Sequence, residues 1–216
     1  MSAAPSRPSG LTLGALVLAA GSSRRFGPEA KLLADLGGQT VLAHALRPYG
    51  TWAFAVRVLV TAPGQDAQAA QGAAAGWRIA VNPCAQEGMG TSLAWGVSAL
   101  LDDPQAPALD GILVGLADMP LVTADVVQGL VGAFSAKRAD WDCVAPVHDG
   151  RRGHPVLFAR ACFDGLAACR GDEGARHVIA AAGDRAGLWP CPDPAILMDV
   201  DTHEELDALR RHSGPP

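Results

Sequence analysis

The stretch LTLGALVLAAGSSRRFGPEAK, residues 11–31, decides the fold that this sequence predicts. It begins with a nearly continuous apolar run, which is typical of a β-strand covered on both faces in a parallel sheet. The apolar region of a secretory signal peptide is the alternative interpretation, and the run is too short to span a membrane as a helix. We favour the strand, because no other early segment can supply the first strand of a core.

Apolar runs and helical segments alternate along the rest of the chain. Strands are predicted at residues 13–19, 53–60, 77–81, 111–116, 143–146, 156–159 and 195–200. Helices are predicted at residues 40–49, 65–75, 91–101, 123–137, 161–168, 174–182 and 202–211. Thr40 and Thr123 are suited to cap their helices, and Thr202 with Glu205 forms a capping box. This alternation predicts an α/β fold with a Rossmann-like, doubly wound and mostly parallel sheet.

Composition limits the class of protein. The length of 216 residues suits one domain, which we place at residues 11–211 between loose tails at 1–10 and 212–216. With 49% hydrophobic and 18% charged residues, the chain is neither disordered nor fibrous. The net charge of −5 shows no basic surplus, so we expect no nucleic-acid partner, and we expect no membrane partner. Five cysteines without a Cys-x-x-Cys pair favour a reducing, cytoplasmic setting over a disulfide framework or a zinc site.

The loop after the first strand has the composition of a phosphate-binding turn. Its residues are Leu18, Ala19, Ala20, Gly21, Ser22, Ser23, Arg24 and Arg25, with Lys31 close behind. Small side chains let the backbone approach a ligand, and backbone N–H groups can then bind phosphate oxygens. The loop matches neither the Walker nor the dinucleotide fingerprint. An ordinary turn with solvated arginines is the alternative, but three cations here favour a triphosphate site.

Two acidic loops also follow predicted strands. Asp118 comes directly after the strand at 111–116, where a carboxylate faces the ligand crevice and can hold Mg²⁺ with a triphosphate. A turn or cap role for Asp118 is the alternative. Asp199 and Asp201 alternate at the end of the strand predicted at 195–200, so only one faces the crevice. We choose Asp201 as the second metal ligand, with support of the helix cap as its alternative role.

Later loops are less specific. Asn82, Gly90 and Ser92 lie where a strand leads into a helix, so they could contact a base and ribose. Taken alone, this segment is a loop with a helix start. His154 and Arg176 could belong to a second anionic pocket, although a lone histidine is more often structural.

These loops, in this order, resemble the MobA-like nucleotidyltransferase family over residues 13–210, and most closely its molybdenum cofactor cytidylyltransferases. The first-loop motif Leu-Ala-Ala-Gly-x-Ser-x-Arg-Phe-Gly with a following lysine carries most of the resemblance. The weaker elements are Asp118-Met119-Pro120, Gly153-His154-Pro155, residues 171–176 and residues 199–202.

The resemblance implies a doubly wound nucleotidyltransferase fold with a small antiparallel part late in the chain. It implies transfer of CMP from CTP to the phosphate of molybdenum cofactor, with release of pyrophosphate. Mg²⁺ on Asp118 and Asp201, Lys31 at the α-phosphate and Arg24 at the β- and γ-phosphates would follow, with His154 and Arg176 toward the acceptor. Delivery of the product to a molybdoenzyme or its chaperone is also implied.

Departures from the family pattern bear on the substrate. The guanylyl-transferring branch typically has Ala-Gly-Gly where this chain has Ala19-Ala20-Gly21, which favours cytosine. Ala117 stands where the family often has glycine, and three residues separate Gly27 from Lys31 where many members have two. The alternatives are another NTP, a sugar or alditol phosphate acceptor such as methylerythritol phosphate, or a non-catalytic cofactor carrier. A nicotinamide-dependent oxidoreductase would need the fingerprint that is missing.

Overall fold

The computed structural model describes residues 10–21, 26, 30–103 and 108–212, and an eight-stranded sheet lies at its centre. The strands of the chain are β1 (Leu13–Leu18), β2 (Asp35–Leu36), β3 (Gln39–Thr40), β4 (Val56–Thr61), β5 (Arg78–Val81), β6 (Gly111–Leu116), β7 (Cys143–His148), β8 (Arg151–Arg152), β9 (Val156–Ala159) and β10 (Ala186–Pro190). β2 and β3 form a separate small hairpin.

The main sheet has the order β10-β7-β9-β6-β1-β4-β5, with β8 paired to β7. β1 pairs in parallel with both β4 and β6, and β4 pairs in parallel with β5. β9 runs antiparallel to β6 and to β7, and β8 runs antiparallel to β7. The prediction of a doubly wound, mostly parallel sheet with a small late antiparallel part is therefore confirmed.

The helices connect these strands and cover the sheet. They are α1 (Val41–Leu46), α2 (Asp66–Ala74), α3 (Met89–Leu101), α4 (Ala124–Ala136), α5 (Phe163–Ala167), α6 (Arg176–Ala182) and α7 (His203–His212). The predicted caps are confirmed at α1 and α4, where Thr40 accepts a hydrogen bond from the Ala43 amide and Thr123 accepts one from the Val126 amide.

The two larger clusters of the core lie on opposite faces of the sheet, and a smaller third cluster contains Met119, Val122, Val126, Cys191 and Ile196. Every residue of β1 is buried, and its side chains alternate between the two faces. Leu13, Ala15 and Val17 pack into one hydrophobic cluster, whereas Leu16 and Leu18 pack into the other. The apolar run at residues 13–19 is thus a buried strand that is covered on both faces, as predicted.

One predicted strand is wrong. Residues 195–200 do not form a strand, because Pro194–Leu197 is a 3-10 turn whose start is capped by the Asp193 side chain on the Ala195 amide at 2.9 Å. The last strand of the sheet is instead β10, which pairs in parallel with β7. Gly187 weakens the strand signal of this segment in the sequence, because glycine is unfavourable inside strands. The fold nevertheless requires glycine there, since an added side chain would collide with the Trp141 ring.

A glycine in β6 shapes the core next to the site. Gly115 lies so close to the Tyr49 side chain that a Cβ there would meet the phenolic hydroxyl. Tyr49 is 2% exposed, and burial raises the pKa of its hydroxyl above the ordinary value. The ring packs edge-on against Trp77 at a centroid distance of 5.8 Å.

We expect Gly115→Ala to destabilise the protein by about 1–3 kcal/mol, because its methyl group overpacks the core against Tyr49. Gly132→Ala in α4 is the matched control, since nothing lies within 4 Å of its added methyl. The control should gain roughly 0.5–1 kcal/mol from improved helix propensity. Urea unfolding measures both changes, and Tyr49→Phe should recover part of the loss at Gly115. Equal stabilities of the two alanine variants would contradict this account.

Candidate functional site

A cleft opens where β1 and β6 end side by side. Their parallel register sets Leu18 opposite Leu116, and the Ala117 amide donates a hydrogen bond to the Leu18 carbonyl at 3.0 Å. The chain leaves β1 toward β4 on one side and returns as β6 on the other, which is the switch point where doubly wound sheets bind ligands. The cleft has a volume of about 670 Å³.

Several predicted site residues come together in this cleft. Those that line it are Leu18, Ala19, Ala20, Gly21, Lys31, Ser92, Asp118 and Asp201. The loop after β1 is fixed to the next loop through Gln65, whose side chain accepts from the Ala62 amide at 2.7 Å and donates to the Gly21 carbonyl at 3.2 Å. Ser22, Ser23 and Arg24 lie outside the described residues, so their predicted contacts stay predictions.

Lys31 joins the two predicted metal ligands. Its ammonium donates to Asp118 Oδ2 at 2.9 Å and to Asp201 Oδ1 at 3.1 Å. Lys31 is 6% exposed although it carries a charge. Burial lowers the pKa of Lys31, but attraction to Asp118 and the hydrogen bonds to both carboxylates outweigh this, so the pKa lies above its ordinary value.

A third carboxylate completes an acidic cluster. Oxygen atoms of Asp118, Asp199 and Asp201 lie within 4.8 Å of one another. The expectation that Asp199 faces away from Asp201 is wrong, because it assumed strand alternation and no strand runs through these residues. Burial and the nearby charges of Asp118 and Asp201 raise the pKa of Asp199.

The start of α7 holds Asp201 in place, and it confirms the predicted capping box. The Thr202 hydroxyl accepts from the Glu205 amide at 3.2 Å, while Glu205 Oε2 accepts from the Thr202 amide at 2.9 Å. The same carboxylate oxygen also accepts from the Asp201 amide at 2.7 Å. The Val200 amide donates to the Asp118 carbonyl at 2.8 Å, so the two acidic loops are also tied through their backbones.

Asn82 and Gly90 stand behind the cleft wall and do not line it. The Asn82 amide group donates to Thr91 at 3.2 Å and to Ser92 at 3.1 Å, and its oxygen accepts from the Cys84 amide at 2.9 Å. Asn82 is 1% exposed. It therefore shapes the wall that presents Ser92 to the cleft.

The far wall of the cleft is a close contact that the sequence reasoning missed. The Gly90 amide donates to the Gly171 carbonyl at 2.7 Å, and an added Cβ at Gly90 would meet the Arg170 backbone. Gly88, at a φ of 116°, has no room for a side chain next to Asp172. Asp172 itself lines the cleft, as do Gly88 and Met89. The paired glycines in these two segments were the available indication that their backbones meet.

Neither of the two residues predicted to bind the acceptor is among the residues that line the cleft. His154 does not line the cleft, and its Nδ1 is buried without a hydrogen-bond partner among the residues that the structure describes. Burial lowers the pKa of His154, although the Asp118 charge partly opposes this shift. Arg176 begins α6 and is exposed. Their acceptor role stays a prediction.

Comparison with known proteins agrees with this geometry. The family model for the MobA-like NTP transferase domain matches residues 15–186. The purine catabolism protein PucB of Bacillus subtilis is 31% identical over 136 residues, which is 62% of this chain and 62% of that protein. A molybdenum cofactor guanylyltransferase of Shewanella frigidimarina is 30% identical over 144 residues, with 67% of this chain and 66% of the relative covered. The chain thus spans less than two thirds of the length of either relative.

Solved structures share the fold over almost the whole chain. Rv0371c of Mycobacterium tuberculosis superposes with a TM-score of 0.77 at 24% identity, covering 93% of this chain and 98% of that one. Molybdopterin-guanine dinucleotide biosynthesis protein A of Archaeoglobus fulgidus gives a TM-score of 0.63 at 17% identity, covering 92% and 97%. At these identities the likeness establishes the fold alone. Within the described ranges, no helix has both the length and the apolar character of a membrane span.

We expect Glu205→Ala to lower the free energy of unfolding by about 1 kcal/mol, because the hydrogen bonds that Glu205 Oε2 accepts from the Thr202 and Asp201 amides are lost together. Glu204→Ala is the matched control, since Glu204 lies in the same first turn of α7. The control should stay within about 0.5 kcal/mol of the parent protein. Thermal and urea unfolding give both values. An equal loss in both variants would mean that only the general acidity of the first turn matters.

Proposed function

Because the chain belongs to the MobA-like NTP transferase family, we propose that it moves CMP from CTP to the phosphate of molybdenum cofactor and releases pyrophosphate. The observation that carries the proposal is the Lys31–Asp118–Asp201 cluster beside the small-residue loop after β1. The loop after β1 thus allows close approach of its backbone to a ligand, and Lys31 with Asp118 and Asp201 supplies a buried cation beside carboxylates. An NTP needs both kinds of contact around its phosphates.

The reaction that fits this site is an in-line displacement. A phosphate oxygen of the acceptor forms a bond to the α-phosphorus of CTP, and the bond from that phosphorus to the bridging oxygen of pyrophosphate breaks. The attacking oxygen is already an anion near neutral pH, so no general base is required. The task of the protein is then to position both reactants and to stabilise the developing charge. We assign Lys31 to the α-phosphate and Arg24 to the β- and γ-phosphates.

The acidic cluster suits Mg²⁺. Asp118, Asp199 and Asp201 offer carboxylate oxygens within 4.8 Å of one another, and Mg²⁺ prefers oxygen ligands. Mg²⁺ bound there would supply charge neutralisation of phosphate oxygens. Asp118 and Asp201 also line the cleft, so they are our proposed ligands, with Asp199 available beside them.

The choice of acceptor rests on the relatives. One of them is a molybdenum cofactor guanylyltransferase, which is 30% identical over its matched segment. We infer that the acceptor here is also molybdenum cofactor, with His154 and Arg176 on its side of the site. Replacing either residue should then raise KM for the acceptor more than KM for CTP.

GTP is the second candidate donor, and the name of that same relative favours it. We favour CTP because Ala20 stands where the guanylyl-transferring branch typically carries glycine. Ala20 lines the cleft and also packs into the core, so its methyl group occupies space that glycine would leave open.

The test is pyrophosphate release in the presence of Mg²⁺ with CTP, GTP, ATP or UTP, each with and without molybdenum cofactor. We expect release with CTP only when the cofactor is present. If GTP is the only nucleotide that gives cofactor-dependent release, the choice of base is overturned and the proposed reaction is retained. No release with any nucleotide in the presence of molybdenum cofactor would overturn the choice of acceptor, and a panel of sugar and alditol phosphates would follow.

We expect Lys31→Ala to lower turnover about 10²–10³-fold, the usual effect of removing one group that stabilises transition-state charge. Asp118→Ala should abolish the dependence of the rate on Mg²⁺. Lys137→Ala is the matched control, because Lys137 pairs with Asp140 at 3.7 Å on the surface, outside the cleft. Single-turnover rates with saturating CTP measure all three variants. A wild-type rate for Lys31→Ala would remove Lys31 from the mechanism.

A further inference from the structure

The proposed reaction assigns Lys31 to a phosphate, but in this structure its ammonium is bound to aspartates. Nζ lies 2.9 Å from Asp118 Oδ2 and 3.1 Å from Asp201 Oδ1, so it sits between the two carboxylates that we assign to the metal. The Lys31 side chain is 8% exposed, whereas the side chains of Asp118 and Asp201 are 28% and 33% exposed. The lysine is therefore the most buried member of this group, and the two carboxylates, which also line the cleft, are more open to solvent.

We propose that the Lys31 ammonium substitutes for the divalent cation. It binds the two metal-binding carboxylates while nucleotide is absent, and cation binding displaces it. This inference rests on the proposed function, because it takes Asp118 and Asp201 as the metal ligands. It goes further in giving Lys31 two successive partners, first the carboxylates and then the phosphates of the bound NTP.

Charge balance supports the exchange. Three aspartates bring their oxygens within 4.8 Å, and without a cation they repel one another. The ammonium offsets part of this charge and makes the nucleotide-free site stable. A divalent cation on the same oxygens offsets more of it and repels the ammonium, because like charges this close in a partly buried site interact strongly.

The arriving triphosphate gives the displaced ammonium a new anionic partner. Lys31 lies at the start of the 3-10 turn Lys31–Leu33 and lines the same cleft as the small-residue loop after β1. Its flexible four-carbon stem lets the ammonium change partners without a change of the backbone. Nucleotide and metal should therefore each increase the affinity of the other. The metal frees the Lys31 ammonium from the carboxylates, and the triphosphate then pairs with that ammonium.

The opposite role for Lys31 is a fixed support. A lysine that permanently orients the two carboxylates would help the cation to bind, as hydrogen-bond partners of metal ligands usually do. The two roles predict opposite signs. Removal of the ammonium should tighten metal binding if Lys31 competes with the cation, and it should weaken metal binding if Lys31 supports it.

The experiment measures Mn²⁺ binding to the full-length protein without nucleotide, from the electron paramagnetic resonance signal of the free ion. The variants are Lys31→Met, which keeps the apolar stem, and Lys137→Met, which removes an equal charge from an exposed pair with Asp140. We expect Lys31→Met to bind Mn²⁺ about tenfold more tightly than the parent protein. Lys137→Met should match the parent. Adding Asp118→Asn to Lys31→Met should abolish the gain, which locates the ion.

Equal or weaker Mn²⁺ binding by a folded Lys31→Met protein overturns the proposal. Circular dichroism establishes the fold, and if Lys31→Met is unfolded, Lys31→Gln carries the same test with a neutral amide that can still bond to the carboxylates. The readout needs no turnover. If Lys31→Met binds Mn²⁺ more tightly but the parent protein releases no pyrophosphate, only the proposed function is contradicted. If the parent protein is active but Lys31→Met binds Mn²⁺ no more tightly, only the proposed role of Lys31 is contradicted.

Discussion

The parallel pairing of β1 with β6 is the constraint on which the rest of the site depends. It sets Leu18 opposite Leu116, so the loops that leave the two strands emerge side by side. Lys31 and Asp118, 87 residues apart in sequence, can meet only because of this register. Their contact in turn stabilises the buried Lys31 ammonium, because an unpaired ammonium at this depth would carry a large desolvation cost. Packing and electrostatics are thus coupled through one strand pair.

The sequence was informative where local physics and position in the fold agree. The apolar run at residues 13–19 favoured a covered strand over a signal-peptide region, and a carboxylate directly after such a strand was expected to face the crevice, with a turn or cap role as the alternative. The first expectation follows from neighbouring residues only, whereas the second also depends on the predicted alternation of strands and helices. The capping box of Thr202 and Glu205 is equally local, and the structure shows its reciprocal hydrogen bonds.

Contacts between distant segments were out of reach of the same reasoning. The paired glycines near Gly88 and Gly171 indicate a close backbone approach in each segment, but they do not identify the partner, which only the folded chain shows. Asp199 was placed on the wrong side because a strand was assumed where Pro194 starts a 3-10 turn. Asn82 has the residue type of a ligand contact, yet its hydrogen-bonding groups are used by its own loop. Which polar groups remain available for a ligand is a property of the whole network.

The attachment of Asp201 to the cap of α7 has a consequence for how the protein matures on the ribosome. Synthesis proceeds from the N-terminal end, and the residues of β1, β4, β5 and β6 are all present once residue 116 has been added. The chain at that stage lacks the segment from Asp199 to Glu205, which supplies the remaining carboxylates and the side chain that binds the Asp201 amide. Until that segment has left the exit tunnel, Lys31 can pair with Asp118 alone. Two of the three carboxylates of the acidic cluster therefore come from a segment that is synthesised more than 80 residues after Asp118.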